Sequence, residues 1–176
     1  KPLIIMTPKS LLRHKRVHSK IEEFGPDSTF HRVLWDDAQM LKGEKIKLVA
    51  DDKIKRVVMC TGKVYYDLYE ERENREINDV YLMRVEQLYP FPAKSLMTEL
   101  ARFKQAEIVW CQEEPKNMGA WQFMEPNIEW VLDQVGARYR RAKYTGRPSS
   151  AATAVGLMSK HLQQLNQLLA DALKVD

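Results

Sequence analysis

From Lys55 onward the chain alternates short apolar runs with stretches of helical period, and no other feature limits its fold as much. "KRVVMC" reads as a strand and Gly62 as a turn; "KVYYDLYEERENR" follows with helical spacing through Val64, Tyr65 and Leu68. "DVYLMRV" is the next strand. "EQLYPFP" is a loop, because Pro90 and Pro92 block a helix. "AKSLMTELARF" is a helix with Leu96, Leu100 and Phe103 on one side, and "AEIVWCQ" is a strand. "WQFMEPNIEWVLDQVG" is helical, bent or restarted at Pro126, and "ARYRRAKY" is a last strand, polar enough for an edge and open to antiparallel pairing. Ala151, Val155, Met158, Leu162, Leu165, Leu169 and Ala172 then recur at steps of four and three, the mark of an amphipathic terminal helix with Gln163, Gln164 and Gln167 outside. Strand and helix in strict turn imply right-handed crossovers and a mainly parallel sheet covered on both faces. The expected fold is therefore α/β, one domain over residues 1–176, regular over 55–176.

The earlier part is harder to read. "PLIIM" has the character of a buried strand, and "TPKSLLRH" of a helix with Thr7 as N-cap and Pro8 in the first turn. Residues 15–53 are polar, contain Gly25-Pro26 and Gly43, and hold one strand candidate, "FHRVLW"; they read as an irregular surface connection.

In 176 residues there is room for a sizeable core, and 44% hydrophobic with 30% charged residues is ordinary for a globular chain. No apolar run has bilayer length, and the five apolar residues after Lys1 are too few for a signal peptide, so the expectation is an intracellular protein away from membranes. Cys60 and Cys111 each lie alone in an apolar run, which excludes a zinc ribbon or CxxC motif and leaves two buried thiols. The net charge of +4 is unevenly spread. Residues 1–20 carry six Lys/Arg and no acid, residues 137–147 carry five and no acid, and the remainder has 17 basic against 24 acidic residues. Two basic patches on an acidic body suit phosphates, acidic surfaces or a subunit contact; nucleic acid is not expected, since no reading motif accompanies the charge.

In an open parallel sheet, function gathers at the carboxyl ends of the strands. "CTGKVYY" ends a strand and opens a helix whose free N–H groups, with Lys63, suit an anion, although the second glycine of a P-loop is missing. An ordinary strand-to-helix turn is the preferred reading over an anion site. "TGRPSSAATAVG" has the same shape, and Arg147 there could clamp a phosphate or carboxylate, or pin a neighbour. In "VWCQEEPKNMGAW", Glu113 and Glu114 adjoin each other, so on an extended chain they point to opposite faces and do not share one substrate. They read as loop-ordering and interface residues with Trp121. The four histidines have no metal spacing, and no nucleophile elbow, HExxH or thiamine-binding GDG motif occurs. No catalytic residue is assigned.

"PLIIMTPKSLLRH", "VVMCTGKVYYDL", "VEQLYPFP", "WCQEEPKNMGAW" and "YTGRPSSAATAVG" resemble, in order, the C-terminal region of the thiamine-diphosphate-dependent first component of 2-oxoglutarate dehydrogenase. The likeness runs from Pro2 to the last helix and is weakest between His14 and Lys55. It implies a transketolase C-terminal-like domain, a three-layer α/β/α sandwich. It implies an oxidoreductase of the tricarboxylic acid cycle that decarboxylates 2-oxoglutarate and passes the succinyl group to a lipoyl arm. It further implies thiamine diphosphate and magnesium, a homodimer, and the lipoyl succinyltransferase component as partner. The family's cofactor motif and active-site histidines lie upstream of the matched region, so this chain is expected to be an inactive fragment with a dimerisation or architectural role. The alternative is a regulatory module that binds acetyl-CoA or adenine nucleotide phosphates through Lys9, Arg13, Lys63 or Arg147. A bacterial cytoplasm is favoured, or the mitochondrial matrix if eukaryotic.

Overall fold

Along strand β2, Arg56–Cys60, successive side chains face opposite ways, and every one of them is buried. Val57 and Met59 enter one core, while Val58 and Cys60 enter another. A strand apolar on both sides needs cover on both sides. The computed structural model, which describes residues 1–40 and 45–175, supplies it.

Five strands form one sheet in the order β1-β3-β2-β4-β5. They are β1 (Val33–Leu34), β2, β3 (Val80–Val85), β4 (Glu107–Pro115) and β5 (Lys143–Arg147). Only β1 is antiparallel, opposite β3; the other pairings are parallel. Helices α3 (Ala93–Leu100) and α4 (Trp121–Gln134) pack Leu96, Leu100, Met124, Ile128 and Val131 against the Val57 face, around Trp110. Helices α2 (Val64–Asn74) and α5 (Met158–Leu173) pack Val64, Leu68, Leu168, Leu169 and Ala172 against the Val58 face. This is the expected three-layer α/β/α sandwich with a mainly parallel sheet.

Buried charges tie the layers together. Asp36, just before the short helix α1 (Asp37–Met40), forms a bidentate pair with Arg72 of α2, one arm at 2.8 Å, and both side chains are fully buried. Asp36 also accepts from Leu82 N at 2.6 Å and Ala38 N at 2.9 Å. On the other edge of α2's layer, Arg56 donates to the carbonyls of Asp171 and Ala172, closing the last turn of α5, and pairs with Glu107 at 2.5 Å.

The structure departs from the sequence expectations at several places. The chain divides into two compact units, Lys1–His31 and Arg32–Asp176. In the first unit "PLIIM" forms no strand, and the expected helix over "TPKSLLRH" shrinks to a 3-10 turn at Lys9–Leu11. None of the residues in that unit is buried, so the unit holds no apolar partner for either element. "FHRVLW" yields only the two-residue β1. Gly43, in the expected irregular connection, lies outside the described residues. Strand β4 runs on through Glu113-Glu114-Pro115, which were expected to be loop, because β5 continues beside it as far as Arg147. The last strand is "KYTGR" rather than "ARYRRAKY", and it is parallel, because α4 carries the chain back to the starting end of the sheet. Pro126 neither ends nor restarts α4: the carbonyl that loses its helical donor belongs to Gln122, which is exposed. Helix α5 begins at Met158, not Ala151, because Ser150 is held by both polar atoms of Asn117, and Leu157 is extended.

Candidate functional site

The loop that follows β4 is organised by Gln112, the last residue of the regular strand. Its pairing partner is Gly146; the next pair is Pro115 with Arg147, so Glu113 and Glu114 form a bulge in β4. Gln112 is buried, and its carboxamide is fully used. Its Oε1 accepts from Trp110 Nε1 at 2.9 Å and from Trp121 N at 3.0 Å. Its Nε2 shares two N–H bonds among the carbonyls of Met118 (2.7 Å), Pro115 (3.2 Å) and Glu114 (3.3 Å). The first N–H of α4 is thereby satisfied by a side chain from β4. Gly119 makes the turn possible: its φ is +67°, and a Cβ there would lie 2.9 Å from Gln112 Nε2. Tyr144 of β5 seals the arrangement. Its ring packs on Trp121 at 5.4 Å, and its hydroxyl lies 2.8 Å from Arg147 O and 3.1 Å from Glu114 O. Burial, the main cause, pushes the Tyr144 phenol up to about 12.

The predicted site residues fall in three places. Lys63 and Glu113 meet between the β2 and β4 loops, where the strand order switches direction, while Glu114 lies in the β4 bulge and Trp121 at the start of α4. Lys63 follows Gly62, whose φ of +74° makes the expected turn. Its ammonium sits 2.6 Å from Asp67 and 3.4 Å from Glu113, so its charge is met by two carboxylates rather than left for an outside anion. Burial alone would lower the Lys63 pKa; hydrogen bonds and charge from Asp67 and Glu113 outweigh it and raise it. Glu113 thus faces inward to Lys63, while Glu114 is exposed and contributes its carbonyl to the loop. Trp121 is buried in the chain's own core. Arg147 stands apart from this group, 2.9 Å from His161 Nδ1 of α5; the guanidinium can only donate, so that nitrogen accepts. Beside it is a cavity of about 450 Å³ lined by Arg147, Ser149, Ser150, Thr153, Lys160 and Gln164. Lys9 and Arg13 are exposed and belong to the first unit.

Sequence reasoning missed Gln112, Tyr144 and Asn117. Nothing in composition or spacing singles out a glutamine that ends an apolar run. The one available signal was a polar side chain at a position where the strand's neighbours are all core. Cys60 and Cys111 face each other in register between β2 and β4, both buried, and burial raises both thiols, which suppresses the thiolate. Among the described residues no group of three His, Cys, Asp or Glu side chains converges as a metal would require, and no helix is long and apolar enough to cross a membrane.

Residues 18–173 match the family model described as 2-oxoglutarate dehydrogenase C-terminal. The chain is 66% identical over 173 residues to the 2-oxoglutarate dehydrogenase E1 component of Brucella anthropi, covering 98% of this chain and 17% of that protein. The proteins of the same name from Brucella ovis and Brucella abortus are 66% and 65% identical over the same shares. The chain therefore spans about one sixth of the length of the curated relatives it matches.

Proposed function

The chain belongs to the 2-oxoglutarate dehydrogenase C-terminal family, and from that premise we propose that it serves as the architectural domain of a polypeptide that oxidatively decarboxylates 2-oxoglutarate. In this reading the whole polypeptide uses thiamine diphosphate and magnesium and works as a homodimer in the bacterial cytoplasm. It hands the succinyl group to a lipoyl succinyltransferase component. The cofactor supplies the carbanion chemistry, and the protein supplies orientation. Among the described residues no group of three His, Cys, Asp or Glu side chains converges, and no chemical step is assigned to them. What supports the reading is the likeness to the named relatives over nearly the whole chain.

Within that enzyme the task of this domain is to present a rigid loop. Gln112 and Tyr144 fix the β4 loop from behind, and Glu114 stands at its exposed front, where a subunit or neighbouring domain would meet it. The test is made on the full-length polypeptide. With thiamine diphosphate, magnesium and an electron acceptor it turns over 2-oxoglutarate, whereas the 176-residue chain alone does not. Absence of turnover by the full-length protein overturns the enzymatic reading. Glu114→Ala is expected to weaken its dimer in sedimentation at nanomolar concentration, and unchanged sedimentation removes the interface role.

The cavity beside Arg147 favours a second reading, a regulatory anion site. Arg147 and Lys160 would hold the phosphates of acetyl-CoA or an adenine nucleotide there. Lys63 is paired with two carboxylates, and Lys9 and Arg13 belong to the other unit. Calorimetric titration with acetyl-CoA should show binding that weakens with salt and is lost in Arg147→Ala; salt-insensitive binding contradicts it.

A further inference from the structure

Residues Pro2–Met6 present a conflict between sequence and structure. The sequence writes a strand: Leu3 and Ile5 on one face, Ile4 and Met6 on the other, with proline at the first position, where a strand tolerates it. Because both faces are apolar, such a strand belongs in a sheet covered on both sides. In the structure these residues have no regular element, and no backbone hydrogen bond joins residues 2–7 to any described residue. Their exposures are 84% for Leu3, 81% for Ile4, 73% for Ile5 and 91% for Met6. Leu12, Ile21, Phe24 and Phe30 in the same unit are also exposed. In Arg32–Asp176, by contrast, every apolar residue of β2 and β3 is buried. The segment has the pattern of a buried strand and lacks its sheet.

We infer that Pro2–Met6 is a strand of a second α/β sheet, located in the part of the longer polypeptide outside these 176 residues. The inference rests on the reading of the chain as part of such a polypeptide, which its coverage of about one sixth of its relatives supports. The family match begins at residue 18, so the segment lies outside the portion shared as a C-terminal domain. A second copy of this chain is the poorer host. One of its sheet edges, β1, is two residues long, and the other, β5, reads "KYTGR" with Lys143 exposed. β1 is too short to pair a five-residue strand, and of the five residues of β5 only Thr145 is buried. The partner is therefore an open sheet edge with helices on both faces, which receives main-chain hydrogen bonds from residues 3–6 and buries Leu3, Ile4, Ile5 and Met6 in its two cores. Residues 7–31 then form a tether between two domains.

Hydrogen–deuterium exchange decides the matter, and it is read without turnover, so its outcome is separable from that of the enzymatic assay. In the 176-residue chain the amides of Leu3–Met6 should exchange as fast as unstructured peptide. In the full-length polypeptide they should slow by at least about 100-fold. Ile5→Pro, which deletes a central donor, should lower the melting temperature of the full-length protein by several degrees and leave that of the 176-residue chain unmoved. Equally fast exchange in both proteins overturns the inference. So does protection in the 176-residue chain that grows with its concentration, which would assign the strand to a second copy. An equal shift of both melting temperatures by Ile5→Pro also overturns it.

Discussion

At the scale of single residues, Gln112 and Lys63 behave differently because one is sealed and the other is not. Gln112 joins β4, the bulge and the start of α4 through one carboxamide. Gln112→Ala leaves Trp110 Nε1, Trp121 N and buried carbonyls without partners, and each such group costs about 1–3 kcal/mol. With relaxation and water entry, a loss of about 2–4 kcal/mol in equilibrium unfolding is expected. Gln112→Glu keeps the volume but removes both donors. It should cost a comparable amount, and a neutral Gln112→Glu would show that packing, not hydrogen bonding, holds the loop. Lys63 is half-buried, and its raised pKa carries a direction with pH. Because the folded value lies above the ordinary 10.5, the stabilisation by Asp67 and Glu113 is complete below the unfolded pKa and disappears as pH rises through the folded one. The difference in melting temperature between the native chain and Lys63→Met should stay level from about pH 7 to 9.5 and shrink above about pH 10.5. A difference that is flat into stronger alkali would deny the coupling.

Among the elements, the periodic ones were legible and the held ones were not. Strands β2, β3 and β4 and helices α2 and α3 announce themselves because their side chains repeat at 2.0 or 3.6. The position of β5 was missed by several residues, because its location depends on the partner strand and on Tyr144, not on its own pattern. The start of α5 was missed for a similar reason: Asn117, far away in sequence, holds Ser150. In the candidate site, Lys63, Glu113, Glu114 and Trp121 were readable as loop residues, but their partners were not. The Asp36–Arg72 pair was equally invisible, since neither residue stands out in a charged chain. It fastens the segment before α1 to α2 and β3. Asp36→Ala strands a buried guanidinium and should cost about 3–5 kcal/mol. Replacing both, as Asp36→Leu with Arg72→Met, should cost less than the single change in the same denaturant titration. A double variant worse than Asp36→Ala would mean that the pair contributes stability of its own.

For the whole molecule, the notable facts are the division at residue 31 and the order of the strands. The second unit carries every buried residue, and the first carries a run of apolar side chains without cover. Such a chain has the makings of one domain plus a connecting piece, and composition alone could not reveal it, because apolar content does not say whose core it enters. The sheet order also has a consequence in time. The chain lays down β2, the central strand, before β3 and β4 flank it on opposite sides, and β5 can join only after β4. Assembly must then spread outward from the middle, so early order at β2 should limit the rate of folding. In stopped-flow chevrons, Val58→Ala should slow refolding, whereas Thr145→Ala at the rim should chiefly hasten unfolding. The reverse pattern would place the nucleus at the edge. A centre-out order also means that, during synthesis, the half-made sheet keeps its sticky margin on the β4 side until Glu107–Pro115 emerges, and that is the interval in which this chain is most exposed to misassembly.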